Sequence, residues 1–402
     1  MAESLRLKRF TNVAILKRID FALLVEFFES DDRFRAFLVQ RGLIWTADTD
    51  AFDYSKLASI LMSPGLDTPD DLLDALYFVD GMADPECYDR ILEECQEKDI
   101  PVGETPSPED LVLRAWLADR NILERVHAEQ HRVRPKKFES FFAGRGDLPD
   151  LTHPSDAVLS ALEADLNEWY DFRKKGRGAR VFPFVREDGV WFLVRHGQRM
   201  KREGVMEADG ESGSRFYRPE KFDVLIYYPD KGELAIYTET KGELQAYCRY
   251  LGKHLFGDIN FFRFEAPVAK YTLQPLIERG RGVLVCSDVE GIKSIRLYEL
   301  HILHDSEQKD IEVRKADDAF RALEDSGRSL QTEDASIKLI KAKFEVTFDG
   351  DKERSVVIEP PNTASFDREA DNAVIHEWLL LREFICTQET GHGELDGAVA
   401  AG

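Results

Sequence analysis

The hydrophobic period of this chain changes once, and that change limits what it can fold into. Up to about residue 150, apolar side chains recur every three or four positions, as in Phe21, Leu24, Val25, Phe28 and again Phe34, Phe37, Leu38. That spacing lines one face of a helix. Beyond Gly176 the apolar runs shorten and become β-rich: Ala179–Val185, Val190–Val194, Phe222–Tyr228 and Glu233–Thr238. A chain of 402 residues with two periods needs at least two packing solutions. The expected class is α+β multidomain. A helical domain is expected over 1–150, a central mixed α/β sheet domain over 151–305, a small α+β domain over 306–386 and a disordered tail over 387–402.

Local signals place several elements. Thr68-Pro69-Asp70-Asp71 and Ser107-Pro108-Glu109-Asp110 each offer a hydroxyl cap, a proline at the first helical position and carboxylates at the positive helix end. Ser155 opens a helix over 156–172 through Leu159, Leu162, Leu166 and Trp169. Glu187-Asp188-Gly189 and Pro229-Asp230-Lys231-Gly232 read as hairpin turns, and Met206–Ser214 as a loop. Glu243–Leu255 places Leu244, Tyr247, Cys248, Leu251 and Leu255 on one helical face. Gly282–Cys286, Ser294–Leu300 and Lys309–Arg314 read as strands, and Ala316–Glu324 as a short helix. A third hairpin is expected from Ile337–Phe348 and Ser355–Ile358, and a last amphipathic helix over Arg368–Phe384.

Charge is the second strong feature. With 76 acidic against 54 basic residues the formal charge is −22, which argues against a general nucleic-acid coat. The distribution is uneven. Between Arg173 and Arg202 lie ten cations: Arg173, Lys174, Lys175, Arg177, Arg180, Arg186, Arg195, Arg199, Lys201 and Arg202. Only Glu187 and Asp188 oppose them, so the strip carries +8 and the rest of the chain −30. Trp169, Tyr170, Phe172, Phe182, Phe184, Trp191 and Phe192 are interleaved with it. Cations with aromatic neighbours suit phosphate and stacked bases. The same alternation suits a strand with a wet arginine face, or a counter-surface for an acidic protein.

Five scattered cysteines, Cys87, Cys95, Cys248, Cys286 and Cys386, do not make a disulfide framework. The first residues lack a signal-peptide pattern, and no run approaches the ~20 apolar residues of a membrane span. A cytoplasmic protein with no membrane partner is expected. His127 and His131 stand four apart, but the Glu between them is misplaced for a His-Glu-x-x-His site, and two solvated histidines are expected. No glycine cluster extends to a Rossmann or Walker loop.

One constellation carries possible catalysis. Asp223 and Glu239-Thr240-Lys241 are expected on consecutive strands, with Glu239 and Lys241 sharing a face. Two carboxylates there would hold Mg²⁺, and the lysine would position water. This pattern resembles the Asp…Glu-x-Lys signature of the PD-(D/E)XK nucleases. The order of helix, strands, helix and strand over about 120 residues is similar too, and Gln245 falls where some members use a glutamine. The resemblance implies a metal-dependent nuclease with Asp223 and Glu239 as metal ligands and Lys241 and Gln245 in the catalytic set. The other reading is a non-enzymatic interaction or regulatory protein without a cofactor. Its helical domain would meet a protein partner. Arg173, Lys174, Lys175, Arg177, Arg195, Arg199, Lys201 and Arg202 would meet nucleic acid or an acidic partner.

Overall fold

The computed structural model describes residues 7–46, 48–65, 67–130, 135–144, 154–186, 189–207, 210–265, 267–304, 308–330, 337–367 and 372–386. The fold is α+β and multidomain. One compact unit takes in Met1–Arg132 with Arg202–Arg215, and the other Val133–Lys201 with Phe216–Gly402.

The first unit contains α1 (Val13–Leu16), α2 (Phe21–Glu29), α3 (Asp32–Gln40), α4 (Tyr54–Met62), α5 (Asp70–Met82), α6 (Pro85–Glu97), α7 (Pro108–Ala118) and α8 (Arg120–Gln130). Leu24, Phe27, Phe28, Phe34, Leu76, Leu111 and Leu123 are among the side chains that meet in its core. Ser107 caps α7 as expected, its Oγ accepting from the Asp110 N–H at 3.1 Å with Pro108 at the first position. At α5 the expectation fails by one residue. Pro69 itself occupies the cap, and the Thr68 hydroxyl instead accepts the Gly65 N–H at 2.9 Å. His127 is also not solvated: it is buried against the rings of Phe78 and Tyr77, at 4.8 and 6.0 Å between centroids. His131 lies outside the described residues.

The second unit is organised by one sheet. From residue 137 onward the elements run β1 (Lys137–Phe142), α9 (Asp156–Phe172), β2 (Arg180–Arg186), β3 (Gly189–Gly197), β4 (Lys201–Met206), β5 (Ser212–Tyr217), β6 (Glu220–Tyr228), β7 (Glu233–Tyr237), α10 (Lys241–Phe256), α11 (Gln274–Arg279), β8 (Ile292–His304), β9 (Ile311–Lys315), α12 (Ala319–Asp325), β10 (Ile337–Phe348), β11 (Glu353–Glu359), β12 (Thr363–Ser365) and α13 (Asn372–Leu381), and all but the β4–β5 ribbon, most of which falls in the first unit, belong to the second. Ten strands pair in the order β2-β3-β6-β7-β1-β12-β11-β10-β8-β9. Each of these pairings is antiparallel.

Three expectations are corrected here. Residues 151–305 and 306–386 do not form separate sheets, because β8 pairs with β10 over its full length. The boundary near 150 also moves, because β1 is a central strand held between β7 and β12. Gly282–Cys286 is not a strand: Gly280–Leu284 forms a 3-10 turn, and two glycines within three residues give it no side chains to stack on a pleat. The loop expected over 206–214 joins β4 to β5, with Met206 and Ser212–Ser214 taken into the strand ends and residues 208 and 209 outside the described residues. The tail over 387–402 and the turn residues Glu187 and Asp188 lie outside the described residues. No helix among the described residues is long and apolar enough to cross a membrane.

Two cores form in this unit. One gathers α9, α10 and alternate residues of β3, β6 and β7, among them Leu162, Leu166, Phe192, Val194, Leu225, Tyr227 and Tyr247. The other gathers α11, α12 and α13 on β8, β10 and β11, with Phe344, Trp378 and Phe384 at its centre. Between them a buried Lys270–Glu233 ion pair, with the Ser140 hydroxyl donating to Glu233 at 2.7 Å, ties β1 to β7.

Candidate functional site

The first of these cores ends in charge. Along β6 the residues Tyr227, Leu225, Asp223 and Lys221 point to one face, and along β3 Phe192, Val194 and His196 do the same. The register sets Asp223 opposite Val194 and Lys221 opposite His196, so His196 and Asp223 meet diagonally. On α10, Glu243, Tyr247 and Leu251 are four apart and share a face. On α9, Leu162, Leu166 and Tyr170 do likewise. Each stripe is apolar along its length and polar at one end, and the four polar ends meet.

The Asp223 Oδ2 atom is the hub. It lies 3.1 Å from His196 Nε2 and accepts from the Thr238 hydroxyl at 2.8 Å and the Tyr247 hydroxyl at 2.7 Å. Asp223 Oδ1 stands 2.9 Å from Lys221 Nζ. Glu243 Oε2 is 2.8 Å from the hydroxyls of both Thr238 and Thr240, and Glu243 Oε1 pairs with Lys175 Nζ. Glu243 also closes a capping box, in which its own N–H reaches Thr240 Oγ1 at 3.2 Å while its carboxylate accepts the Thr240 N–H at 3.1 Å. The Tyr170 ring stacks on the His196 imidazole at 4.3 Å, and its hydroxyl contacts that of Tyr247.

His196, Asp223 and Glu243 are all buried. Burial alone would push the Asp223 carboxyl up, but the His196 hydrogen bond and the Lys221 charge outweigh it and hold the carboxyl below its ordinary value. Burial and the Asp223 charge oppose ionisation of Glu243, yet the Lys175 and Thr238 hydrogen bonds and the Lys221 charge bring it below its ordinary value as well. Burial lowers Lys221, and the facing carboxylates, Asp223 first, more than restore it. Tyr170 and Tyr247 are pushed well above their ordinary values by burial and by the Asp223 charge, so both remain donors. The cluster thus holds two carboxylates against two ammonium groups in a dry site, where unpaired charge would be costly.

The sequence-derived candidates divide. Asp223 is at the centre. Glu239 and Lys241 do not lie on a strand: β7 ends at Tyr237, and Lys241 is the first residue of α10. The Glu239 side chain is 65% exposed, and its Oε2 is 3.6 Å from Lys221 Nζ, so an ammonium sits between it and Asp223. Gln245 is exposed and donates to Glu265 Oε1 at 3.0 Å. Of the basic strip, Lys175 turns inward to Glu243. Arg195 pairs with Glu220 at 3.5 Å, and Arg177 with Asp171 at 3.0 Å. Arg173 lies over the Trp169 ring at 4.9 Å. Lys174, Arg199, Lys201 and Arg202 are exposed. Arg218 joins the rim, donating to the Lys174 carbonyl. His196, Glu243, Lys221, Thr238, Tyr170 and Tyr247 were not singled out as site residues. The available signal was a polar residue ending each of four apolar stripes, at the C-terminal end on α9 and β3 and at the N-terminal end on β6 and α10.

No protein-family model matches the chain, and no curated protein matches its sequence.

Proposed function

We propose that the protein is a polyanion-binding interaction protein whose second unit contacts single-stranded nucleic acid at the end of α9. One observation carries this reading. Phe172 projects its ring into solvent, 81% exposed, with the exposed cations Arg173, Lys174 and Arg177 immediately after it and Arg218 bonded to the same turn. An exposed ring among cations stacks on a base while the cations meet phosphates. The negative charge elsewhere does not cancel this locally, because fields between exposed charges decay over ~8 Å at physiological salt. The helical unit spends its apolar faces in its own core, so it would meet a protein partner through its polar surface.

The nuclease alternative asks for Glu239 and Lys241 beside Asp223, and nothing in their placement favours it over the binding reading. The test is fluorescence anisotropy of labelled oligo-dT and oligo-U with full-length protein across a salt series. Binding at low salt that falls steadily with log salt is expected. Phe172→Ala should weaken it by about 5- to 100-fold, the range for one lost stacking contact. The exposed triple variant Arg173→Ala/Lys174→Ala/Arg177→Ala should flatten the salt slope. No binding at low salt, or binding indifferent to both variants, refutes the reading.

A further inference from the structure

The buried cluster brings three metal-ligating side chains, His196, Asp223 and Glu243, to one point. His196 Nδ1 lies 3.0 Å from the Gly197 carbonyl oxygen. A carbonyl only accepts, so the Nδ1 edge points its N–H there, and Nε2 is aimed inward, 3.1 Å from Asp223 Oδ2 and 3.9 Å from Glu243 Oε1. Nε2 thus meets two carboxylates with a single bonding direction. The Thr238 hydroxyl has the same difficulty. It is 2.8 Å from Asp223 Oδ2 and 2.8 Å from Glu243 Oε2, and has one proton for two carboxylates. Asp223 Oδ1, fully buried, accepts no hydrogen bond: Lys221 Nζ is close to it but outside hydrogen-bonding geometry.

We propose that His196, Asp223 and Glu243 bind a single divalent transition-metal ion, with Zn²⁺ the best match. One ligand atom from each residue lies within 4.8 Å of the others. Donors about 2.0–2.2 Å from a common zinc ion stand roughly 3–4 Å apart, so small side-chain adjustments bring the three onto one ion. An imidazole nitrogen with two carboxylate oxygens selects Zn²⁺ or Mn²⁺ over Mg²⁺, which prefers oxygen ligands alone. The Gly197 carbonyl already does what a metal-bound histidine needs, holding Nδ1–H and aiming Nε2 inward. The Thr238, Thr240 and Tyr247 hydroxyls orient the carboxylates. Lys175 and Lys221 are the competitors for this place. Each keeps part of its side chain at the surface, so an arriving ion has a path along them and they have solvent to withdraw into. The inference is independent of nucleic-acid binding.

The experiment uses full-length protein stripped with chelator, equilibrated separately with Zn²⁺, Mn²⁺ or Mg²⁺, desalted and analysed for metal per chain. Co²⁺ loading with visible absorption adds a view of the ligands. Expected are one retained Zn²⁺ per chain, no retained Mg²⁺, and a Co²⁺ spectrum without thiolate charge transfer. His196→Gln and Glu243→Gln should each weaken Zn²⁺ binding at least about tenfold. Glu243→Gln keeps an acceptor for the threonines, so it serves if His196→Gln does not fold, and circular dichroism verifies both. Folded wild-type protein that retains no transition metal overturns the proposal. Zn²⁺ binding unchanged in the folded variants, or a thiolate signature, also overturns it by placing the ion elsewhere.

Discussion

The two cores of the ten-stranded sheet differ in what fills them. Under α13, Phe344, Trp378 and Phe384 form an aromatic trio with centroids 5.2–5.5 Å apart, and the one polar group of Trp378 is satisfied by its N–H donating to the Val283 carbonyl at 3.2 Å. Under α9 and α10 the same kind of helix-on-sheet packing ends in buried carboxylates, ammonium groups and an imidazole. The first arrangement needs only volume and shape. The second needs every member present, because removing one leaves its partner charged and dry. A core that only had to be stable would be the first kind, so the second marks where the molecule has given up simple packing.

The sharpest way to break this comparison is truncation at both centres. Trp378→Ala and Asp223→Ala should each cost about 3–5 kcal/mol by urea unfolding, one through a cavity and the other through stranded charge. The mechanisms separate on rescue. Asp223→Leu combined with Lys221→Met should be less destabilised than the sum of the two single variants, whereas additive losses would make the charged core no different from the aromatic one. A smaller effect is expected at the helix that closes the cluster. Thr240→Ala removes the cap of α10 and should cost about 1 kcal/mol, and Thr240→Ser should restore most of it. The smallest effect tests ordinary charge on the sheet. Burial pushes Glu359 up, but Lys341 at 2.6 Å and Lys137 at 3.0 Å bring it below its ordinary 4.5. Its folded value is lower than its unfolded one, so its contribution is present above 4.5 and is lost as pH falls through the folded value. Glu359→Gln should cost under about 1 kcal/mol at neutral pH and remove that part of the acid slope in urea midpoints.

Local physics made the elements legible and left their assembly hidden. The helix over 156–172 and the hairpins at 180–197, 220–237 and 337–359 follow from periodicity and turn residues, which act over a few positions. β1, Lys137–Phe142, is short and is held by β7 and β12, so no local signal marks it. Asp223 stood out because a strand placed it near a hairpin end. Glu243 did not, because a carboxylate in the first turn of α10 reads as an ordinary N-terminal residue even though it continues the Tyr247 and Leu251 face. Lys175 was legible as a cation, but its partner is 68 residues away.

The central position of β1 has a consequence for how the molecule is made. Lys137 pairs with Ser365, so the strand at the middle of the sheet keeps one side open until residue 365 has left the ribosome. Contacts of such sequence separation slow folding, and an exposed strand edge invites mispairing meanwhile. The α9/α10 half can collapse early around its own hairpins. The complete sheet is a late event, so a chain released before β12 emerges would carry an unpartnered central strand.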